Sequence, residues 1–331
     1  MGRYLLRRLI QSAIAILGTV TLVFFIQHLS GDPTLLMLPE GATREDIETL
    51  RHQLGFDRPL LVQYLDYLSQ LARFDLGHSL VQRVPVSTII ASRLPYTLYL
   101  AGGALIVAVG FGLPVGILMA VRRGTRLERA LMALVLIGQS MPTFWSGILL
   151  ILLFAVTLGV MPSSGVDGVR SVILPSIALG ALTMATFARV SRTAVLEELG
   201  RDYVSTAQAK GLLFRRVVSR HILRNAATPI ITISALEIAN LLAGAVIVET
   251  VFAWPGLGQL AVQSIAARDF PIVQSIVLLS AFVSITLGIL AGSTIVAPCA
   301  LSTAIASSIT FDCSALMPPR GSIRPGGVTG A

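Results

Sequence analysis

Acidic residues inside long apolar stretches are the first candidates for chemistry in this chain. Glu237 lies well within one such stretch, and Glu249 lies at its far end. Charges in apolar segments usually face a protein interior or an aqueous cavity. Glu237 is therefore a candidate for contacting ammonium or NH groups in a pathway; pairing with a neighbouring subunit, or a protonated state, are the alternatives. Glu249 is the second pathway candidate, and a structural ion pair is the role that we favour for it.

Sequence patterns for catalysis, nucleotide binding and metal binding are missing from the chain. A phosphate-binding loop needs Gly-Lys-Ser/Thr, whereas the single lysine, Lys210, is followed by Gly211. No Gly-x-Ser-x-Gly or His-Glu-x-x-His motif occurs, and Cys299 and Cys313 have no metal-type spacing. We expect no enzyme activity, cofactor or metal in this chain, so any ATP hydrolysis it depends on takes place on another polypeptide.

The composition is that of an integral membrane protein. Of 331 residues, 54% are hydrophobic and 13% are charged, and the mean hydropathy is +0.80. Soluble domains carry about 25% charged residues. The net charge of +8 would also fit nucleic-acid binding, but the arginines flank the apolar stretches, as the positive-inside rule requires. We therefore expect a membrane location and no nucleic-acid partner.

The charges divide the apolar sequence into six candidate transmembrane helices, since a span needs about 20 mostly apolar residues. The candidates are residues 9–29, 96–121, about 131–156, 172–188, 230–248 and about 272–296. Basic residues crowd the N-terminus and the loops after the second and fourth stretches. This pattern predicts an all-α membrane protein with both termini in the cytoplasm. A cleaved signal peptide is the alternative for the first stretch, which is long for one and lacks a small-x-small site.

Glycines and one proline predict how these helices pack. In the third stretch, Pro142 predicts a kink. The second stretch contains five glycines that permit close helix contact: Gly102, Gly103, Gly110, Gly112 and Gly116.

Residues 202–229 form a polar, basic loop that is patterned like folded structure. Asp202 is a candidate N-cap for a short helix to about Lys210, and Gly211 can take the left-handed conformation that ends it. Residues 225–229 are expected to break the helical structure of the loop and start the next span, because Pro229 is tolerated in a first turn. Such a slim helical loop suits docking into another protein; a solvated basic loop is the alternative. An amphipathic helix is predicted between Gly211 and residues 225–229. Its apolar residues are Leu213, Val217, Val218, Ile222 and Leu223.

Two amphipathic helices are predicted in the long polar insertion at residues 31–94. Thr43 and Asp46 resemble a capping box at the start of the first helix, and Gly55 ends that helix. Pro59 can start the second helix and Gly77 can end it. Two short helices bury little area alone. We expect them to pack on the outer mouth of the bundle or against a partner, with a plain spacer as the alternative.

A tight turn is predicted at residues 254–258, Trp-Pro-Gly-Leu-Gly, followed by a re-entrant or lid-like helix at about residues 259–267. Irregular backbone at membrane depth is tolerated where it is packed in protein or lines a cavity. The turn is therefore a candidate outer gate, and an interfacial anchor is the alternative role for Trp254.

The basic loop resembles the EAA-type loop of ABC importer permeases. Small residues, a glycine, an Ile-Leu pair and a proline occur in the motif's order, with Thr206 where the motif often has glutamate. The resemblance implies that residues 197–225 hold the helix that docks in a groove of an ATPase subunit. The positions it implies for coupling are Asp202, Tyr203, Ala207, Ala209, Lys210, Gly211, Ile222, Leu223, Asn225 and Pro229.

Several further motifs, in order along the chain, are similar to the first-encoded permease of dipeptide and oligopeptide importers. They are GDP at residues 31–33, LGFDRPLLVQYLDYL, DLGHS, RLPYTL, ETVFAWPGLGQL and RDFP at residues 268–271. The last two mark an outer gate or mouth at Trp254, Pro255, Gly256, Gly258, Arg268 and Asp269.

The resemblance implies a type I ABC importer permease of a bacterial inner membrane, embedded in lipid. It would pair with a second homologous permease, bind two ATPase subunits that hold ATP and Mg²⁺, and receive a di- or oligopeptide from a periplasmic solute-binding protein. Nickel, glutathione, an opine or a sugar is the alternative cargo. A self-sufficient secondary transporter or channel, and a non-transporting scaffold, are the alternatives of other classes.

The expected organisation is a first transmembrane helix at residues 1–30, a periplasmic helical insertion at 31–95 and a five-helix core at 96–296. The resemblance ends near residue 290. Residues 297–331 are rich in small residues, Ser, Pro and Gly and hold both cysteines. We expect a poorly ordered cytoplasmic tail there. A frameshift is one explanation, and sequencing the locus tests it.

Overall fold

The structure is a computed structural model that describes residues 2–29, 43–53, 55–166 and 168–296. The regular secondary structure of the described residues is helical, apart from one isolated bridge between His78 and Pro85, which confirms the all-α class for this part of the chain. The tail predicted at 297–331 lies outside the described residues. The helices are α1 (Gly2–Leu29), α2 (Arg44–Gln53), α3 (Leu60–Ala72), α4 (Val86–Val121), α5 (Arg126–Ser140), α6 (Thr143–Leu150), α7 (Arg170–Leu199), α8 (Asp202–Ala209), α9 (Phe214–Val217), α10 (Leu223–Val251), α11 (Leu257–Ala266) and α12 (Phe270–Val296).

The long helices α4 and α7 pack against each other along most of their length and form the centre of the fold. Glycine makes the approach possible, because a Cβ at Gly112 would lie 2.7 Å from the carbonyl oxygen of Met184. Of the five glycines predicted to pack closely, the ones that meet α7 are Gly103, Gly112 and Gly116, while Gly102 and Gly110 border open space.

Helix α4 begins at Val86 rather than at residue 96. The predicted start and the expected domain boundary therefore lie inside a continuous helix. Arg93 ends the apolar stretch but does not interrupt the helix, and Pro95 is accommodated within it. At 1.5 Å per residue, the 36 residues of α4 extend about 54 Å, well beyond the ~30 Å apolar thickness of a bilayer.

The third predicted span is broken rather than kinked. Its two halves, Arg126–Ser140 and Thr143–Thr157, meet at an angle of 102°. Pro142 lacks an N–H group and forces the residue before it out of helical conformation, and Met141 is accordingly extended, with φ −81° and ψ 126°. A π-helical segment, Ile151–Thr157, continues the second half.

The prediction that residues 225–229 break the chain before the fifth span is wrong. A second π-helical segment, Val218–Ile222, joins α9 directly to α10, and Pro229 lies inside α10. An interior proline removes one backbone hydrogen bond, which membrane helices tolerate through local adjustment. From Phe214 onward, the second part of the predicted coupling loop (residues 197–225) and the fifth span are therefore one helical run.

The two helices of the external insertion form as predicted at their starts. The Thr43 backbone N–H and hydroxyl both donate to Asp46 Oδ2, at 3.0 and 2.6 Å, and the Asp46 N–H donates back to Thr43 Oγ1 at 3.3 Å. Gly55 follows α2 with φ +74°, and Pro59 is the N-cap of α3. The prediction that Gly77 ends α3 is wrong, because α3 ends at Ala72.

Helix α3 packs on the end of α1. The hydroxyl groups of Thr21 and Tyr64 hydrogen-bond at 2.7 Å. Phe24 meets Tyr64 edge-on, with ring centroids 5.2 Å apart, and stacks on Tyr67 at 6.0 Å. Burial raises the pKa of Tyr67 to about 12. These contacts favour packing on the helix bundle over a plain spacer.

In the described part of the chain, four helical segments are long and apolar enough to cross a membrane, or five if the broken pair at Pro142 counts as one span. The apolar part of α1, Ile10–Ile26, is shorter. The count of six spans and the cytoplasmic position of both termini remain predictions.

Candidate functional site

The predicted coupling loop, residues 197–225, is built around the short helix α8. Asp202 is the first residue of α8 and not its N-cap, which is Arg201; the predicted cap is thus off by one residue. Its carboxylate still lies in the first helical turn, where negative charge is favourable. Gly211 has φ +78° and ends the turn after α8, as predicted, and a Cβ at this position would meet nothing within 4 Å.

One face of the coupling loop is buried in a hydrophobic core. Val204 of α8 and Ile222 of the π-helical segment are buried there, and Ala207, Tyr203 and Leu223 pack at its edge. The same core contains the inner ends of the two central helices, through Ile117, Ala120, Ala194 and Val195. The coupling loop is therefore packed directly onto α4 and α7.

Glu198 ties the coupling loop together with polar contacts that sequence analysis missed. The Tyr203 hydroxyl donates to Glu198 Oε2 at 2.5 Å, and Asn225 Nδ2 donates to the same oxygen at 3.3 Å. Because Glu198 ends α7, Tyr203 lies in α8 and Asn225 lies in α10, one carboxylate joins three helices. Burial, together with the hydrogen bond to Glu198, raises the pKa of Tyr203.

The opposite face of the coupling loop is open. Ala209, Lys210 and Gly211 are exposed, as is Thr206. Leu213, predicted to face the core, is 57% exposed as the N-cap of α9. Ala209 and Gly211 thus flank Lys210 on a surface whose far side is packed against the core.

A second inner contact fixes the loop before α5. Glu128 is buried, and its Oε1 accepts from Arg192 Nε at 3.0 Å and from Arg192 Nη2 at 2.5 Å. Its other oxygen accepts the Gly124 N–H at 2.5 Å. This pair holds α5 to α7, and no local pattern signals it because the partners are 64 residues apart.

The outer mouth, residues 249–269, lies at the other ends of α4 and α10. Trp254 is 1% exposed, so it is not a lipid-facing anchor. Its Nε1–H donates to the Tyr96 carbonyl oxygen at 2.9 Å, and the two rings meet edge-on. Pro255 is half-buried beside it. The predicted lid-like helix is α11, which begins at Leu257.

Glu249 accepts hydrogen bonds and makes no ion pair in the part of the chain that the structure describes, so the predicted ion pair is wrong. The Thr97 hydroxyl donates to Oε1 at 2.7 Å, and the Gln259 N–H donates to Oε2 at 2.9 Å. The Gly258 N–H donates to the same carboxylate. The Leu257 N–H donates to Thr97 Oγ1 at 2.8 Å. The backbone N–H groups at the start of α11 have no partners within the helix, so they can stabilise the Glu249 carboxylate without a neighbouring cation.

Two glycines let α11 approach this carboxylate. A Cβ at Gly256 would overlap the Glu249 carboxylate, and a Cβ at Gly258 would lie 2.5 Å from the Cα of Val246. Both glycines are therefore required by space.

Asp269 fixes the other end of α11. Ser79 Oγ donates to Oδ2 at 2.5 Å, and the N–H groups of Leu80 and Val81 donate to the carboxylate at 3.1 and 3.4 Å. Asp269 is 2% exposed, while Arg268 beside it is exposed with φ +52°. The loop before α4 is thus bound to the turn between α11 and α12.

Glu237 lies between the two regions, in the middle of α10. It is half-buried and hydrogen-bonds to Thr183 of α7 and to Asn240. The described residues contain no group of three or more His, Cys, Asp or Glu side chains that could hold a metal ion.

Comparison with known families gives two matches. Residues 112–297 match the family described as binding-protein-dependent transport system inner membrane component. Residues 1–101 match the N-terminal region described for the membrane components of such systems.

Curated relatives and solved structures agree with these matches. The chain is 41% identical over 293 residues to a di/tripeptide transport system permease protein of Pseudomonas aeruginosa, covering 79% of this chain and 87% of the relative. It is 38% identical over 323 residues to the Escherichia coli K12 dipeptide transport system permease protein, covering 88% and 95%. A Salmonella choleraesuis glutathione transport system permease protein is 42% identical over 280 residues, covering 84% and 92%.

Among solved structures, a chain of the inward-facing MetNI methionine ABC transporter superposes with a TM-score of 0.52 at 21% identity. The match covers 62% of this chain and 96% of that one. At this identity the likeness concerns the fold alone.

Proposed function

The chain belongs to the family of binding-protein-dependent transport system inner membrane components, and we propose that it is one of two homologous permease subunits of an ATP-driven importer of di- and oligopeptides. In this proposal two ATPase subunits, which hold ATP and Mg²⁺, dock at the cytoplasmic coupling loops. A periplasmic solute-binding protein delivers the peptide to a bacterial inner-membrane complex with six spans per permease.

The contrast between the two faces of α8 is the observation that carries the docking proposal. The inner face is held by the core around Val204 and Ile222 and by Glu198. The outer face presents Ala209, Lys210 and Gly211 to solvent. Because its other face is already held in place, α8 would lose little conformational entropy on binding. Its small exposed surface therefore suits a groove in a partner.

The proposed mechanism is alternating access. Closure of the ATPases would displace α8, and the shared core would pass the displacement to α4, α7 and α10. The outer mouth at the far ends of α4 and α10 would then change its opening. Such a change in opening requires that these helices have two stable arrangements with different contacts.

A pull-down tests the docking proposal. The tagged chain is co-expressed with the ATPases encoded beside it, and the wild type is compared with Gly211→Asp, which adds bulk and negative charge at the exposed turn. Gly159→Asp is the matched control, since Gly159 is also exposed, has φ +64° and borders open space, but lies outside the loop. We expect the ATPases to co-purify with the wild type and the control and to be lost from Gly211→Asp. Equal retention by both variants would refute docking at this turn.

The peptide cargo is proposed because three relatives are named for di/tripeptide, dipeptide and glutathione transport. Uptake of a labelled dipeptide, with glutathione, nickel, an opine and a sugar as competitors, tests it. Uptake of one of these compounds in labelled form, in the absence of dipeptide uptake, would replace the proposed cargo but not the transport class. Continued accumulation with hydrolysis-dead ATPases would instead indicate a secondary transporter.

A further inference from the structure

Thr97 connects two parts of the outer mouth with a single hydroxyl group. Its oxygen accepts the Leu257 N–H at 2.8 Å and donates to Glu249 Oε1 at 2.7 Å. Thr97 is 4% exposed and Glu249 is 0% exposed. A carboxylate is an acceptor only, so every contact around Glu249 uses a matched donor. The outer part of α4 is thus fastened at Thr97 to both α10 and α11.

The other end of α4 reaches the coupling loop. Ile117 and Ala120, near its cytoplasmic end, share a core with Val204 of α8 and Ile222. One continuous helix, Val86–Val121, therefore touches the docking region at one end and the mouth at the other. Although Pro95 and Pro114 lie within it, close packing against α7 braces it along this length.

Helix α10 also joins the two regions, but its inner part is less regular. It follows directly on the π-helical segment Val218–Ile222, and it contains Pro229. Both features weaken the backbone ladder and are usual places for a helix to bend. A displacement of α8 carried by α10 alone would be absorbed there in part.

We propose that Thr97 and Glu249 form a latch that fastens α11 and the outer end of α10 to α4, so that movement of the coupling loop reaches the outer mouth through the α4–α7 pair. The proposal rests on the proposed function. In it, Thr97 and Glu249 are positioning residues, and neither needs to touch the cargo. In this proposal, the hydrogen bond between Thr97 and Glu249 sets how far the outer mouth moves when the ATPases close. The chemistry of the transported molecule does not.

The test compares Thr97→Val, which keeps the shape but removes the hydroxyl, with Thr97→Ser, which restores it. Thr88→Val is the matched control, since Thr88 is an exposed residue of the same helix. Each variant is made in a chain with Cys299 and Cys313 replaced by serine and one cysteine placed at Val262, which is 41% exposed on α11. The assembled transporter is reconstituted, and labelling of that cysteine by a membrane-impermeant maleimide is timed with and without vanadate-trapped ATP.

We expect trapping to change the labelling rate in the parent, Thr88→Val and Thr97→Ser chains. In Thr97→Val the response should shrink about tenfold, the factor that corresponds to ~1.4 kcal/mol, which is about the contribution of one hydrogen bond. ATP hydrolysis and ATPase retention should persist in the same sample. If Thr97 had only a structural role, ATP hydrolysis and the change in labelling rate would be lost together. Loss of the change in labelling rate alone therefore indicates a role in coupling.

The possible outcomes are distinguishable. No response in the parent chain would refute the proposed movement of the mouth and hence the function on which the latch rests. A normal response in Thr97→Val would overturn the latch alone. Thr97→Ala serves as a second variant if Thr97→Val does not assemble, and loss of the ATPases from both would show that the contact serves folding, which also overturns the proposal.

Discussion

Single carboxylates organise both candidate regions. Glu198 joins three helices at the coupling loop, while Glu249 and Asp269 hold the two ends of α11. Each accepts hydrogen bonds from hydroxyl, amide or backbone N–H groups. Truncating such an acceptor leaves donors without partners, which costs more than the hydrogen bond itself contributes.

Replacing Glu198 should loosen the coupling helix. Glu198→Ala removes the acceptor of Tyr203 and Asn225, at a cost of about 1–3 kcal/mol. We expect amide hydrogen exchange in residues 202–210 to accelerate by roughly tenfold or more, as measured by mass spectrometry on the assembled protein. Glu197→Ala is the control, since Glu197 is the exposed neighbour. Equal acceleration in both variants would contradict the assigned role.

Glu237 is proposed to contact the ammonium group of a peptide in the pathway, because it is half-buried in the middle of α10. Glu237→Gln keeps the side-chain shape, so its bonds to Thr183 and Asn240 can persist. We expect KM for a free dipeptide to rise about tenfold, as expected for loss of one charge-assisted hydrogen bond, and KM for the N-acetylated dipeptide to change little. Unchanged uptake and substrate range in Glu237→Gln would end this proposal.

The polar contacts that matter most are the ones that sequence analysis could not predict. Thr97 and Glu249 are 152 residues apart, and Ser79 and Asp269 are 190 apart. Local spacing carries no information on such pairs. Predicting an ion pair for Glu249 was wrong for the same reason, since the donors that satisfy it come from another element.

Helix ends show a clearer relation to sequence. The capping box at Thr43 and the left-handed Gly211 were predicted correctly, because both depend on a few adjacent residues. The ends at Gly77 and near Pro229 were predicted wrongly. Helix α3 ends at Ala72 and Phe74 follows with φ +60°, while the π-helical junction carries the chain directly into α10. Neither feature is visible in a local pattern.

The start of α2 should depend on pH. The hydrogen bonds from Thr43 hold the pKa of the Asp46 carboxyl below its ordinary value of 3.8. A lowered folded-state pKa means that the ionised form stabilises the helix start. This stabilisation is complete above the ordinary value and is lost as pH falls through the folded-state pKa.

Titrating the Asp46 carboxyl carbon by NMR in nanodiscs checks this expectation. The midpoint should lie below 3.8 in the wild type and rise toward 3.8 in Thr43→Val, which removes the hydroxyl. Asp66, which is not part of the capping box, provides an internal comparison. A midpoint that Thr43→Val leaves in place would contradict the capping box.

The close contact between α4 and α7 can be tested by substituting one of its glycines. Gly112→Ala places a methyl group 2.7 Å from the Met184 carbonyl oxygen, so the helices must separate, at a cost of about 1–3 kcal/mol. Gly110→Ala is the control, because Gly110 borders open space and alanine favours helix by ~1 kcal/mol. Thermal unfolding in detergent should show a lower Tm for the first variant only. Equal Tm values would show that α4 and α7 are not packed this closely.

For the whole molecule, the structure separates two regions along the length of α4. The coupling loop packs at one end, and the loop at residues 79–85 with the outer mouth lies at the other. This separation supports the proposed topology, in which the first region is cytoplasmic and the second is periplasmic.

Cysteine labelling in intact spheroplasts tests that topology. In a chain with Cys299 and Cys313 replaced, we expect Phe74→Cys to react with an impermeant maleimide at once, because Phe74 is 93% exposed on the outer side. Ala209→Cys should react only after the membrane is opened. Reaction of both residues from the same side would refute the topology.

The break at Pro142 affects how stable the subunit is against degradation in the cell. Neither half of the broken pair is long enough to cross a bilayer alone, and the ends of α5 and α6 leave backbone groups that lipid cannot satisfy. Phe144 and Trp145 beside the break are each nearly half exposed. We expect the proposed second permease to cover this surface, and a subunit made without it to be open to proteolysis. Its half-life should therefore follow the supply of the second permease, as pulse-chase labelling with and without the partner gene can measure.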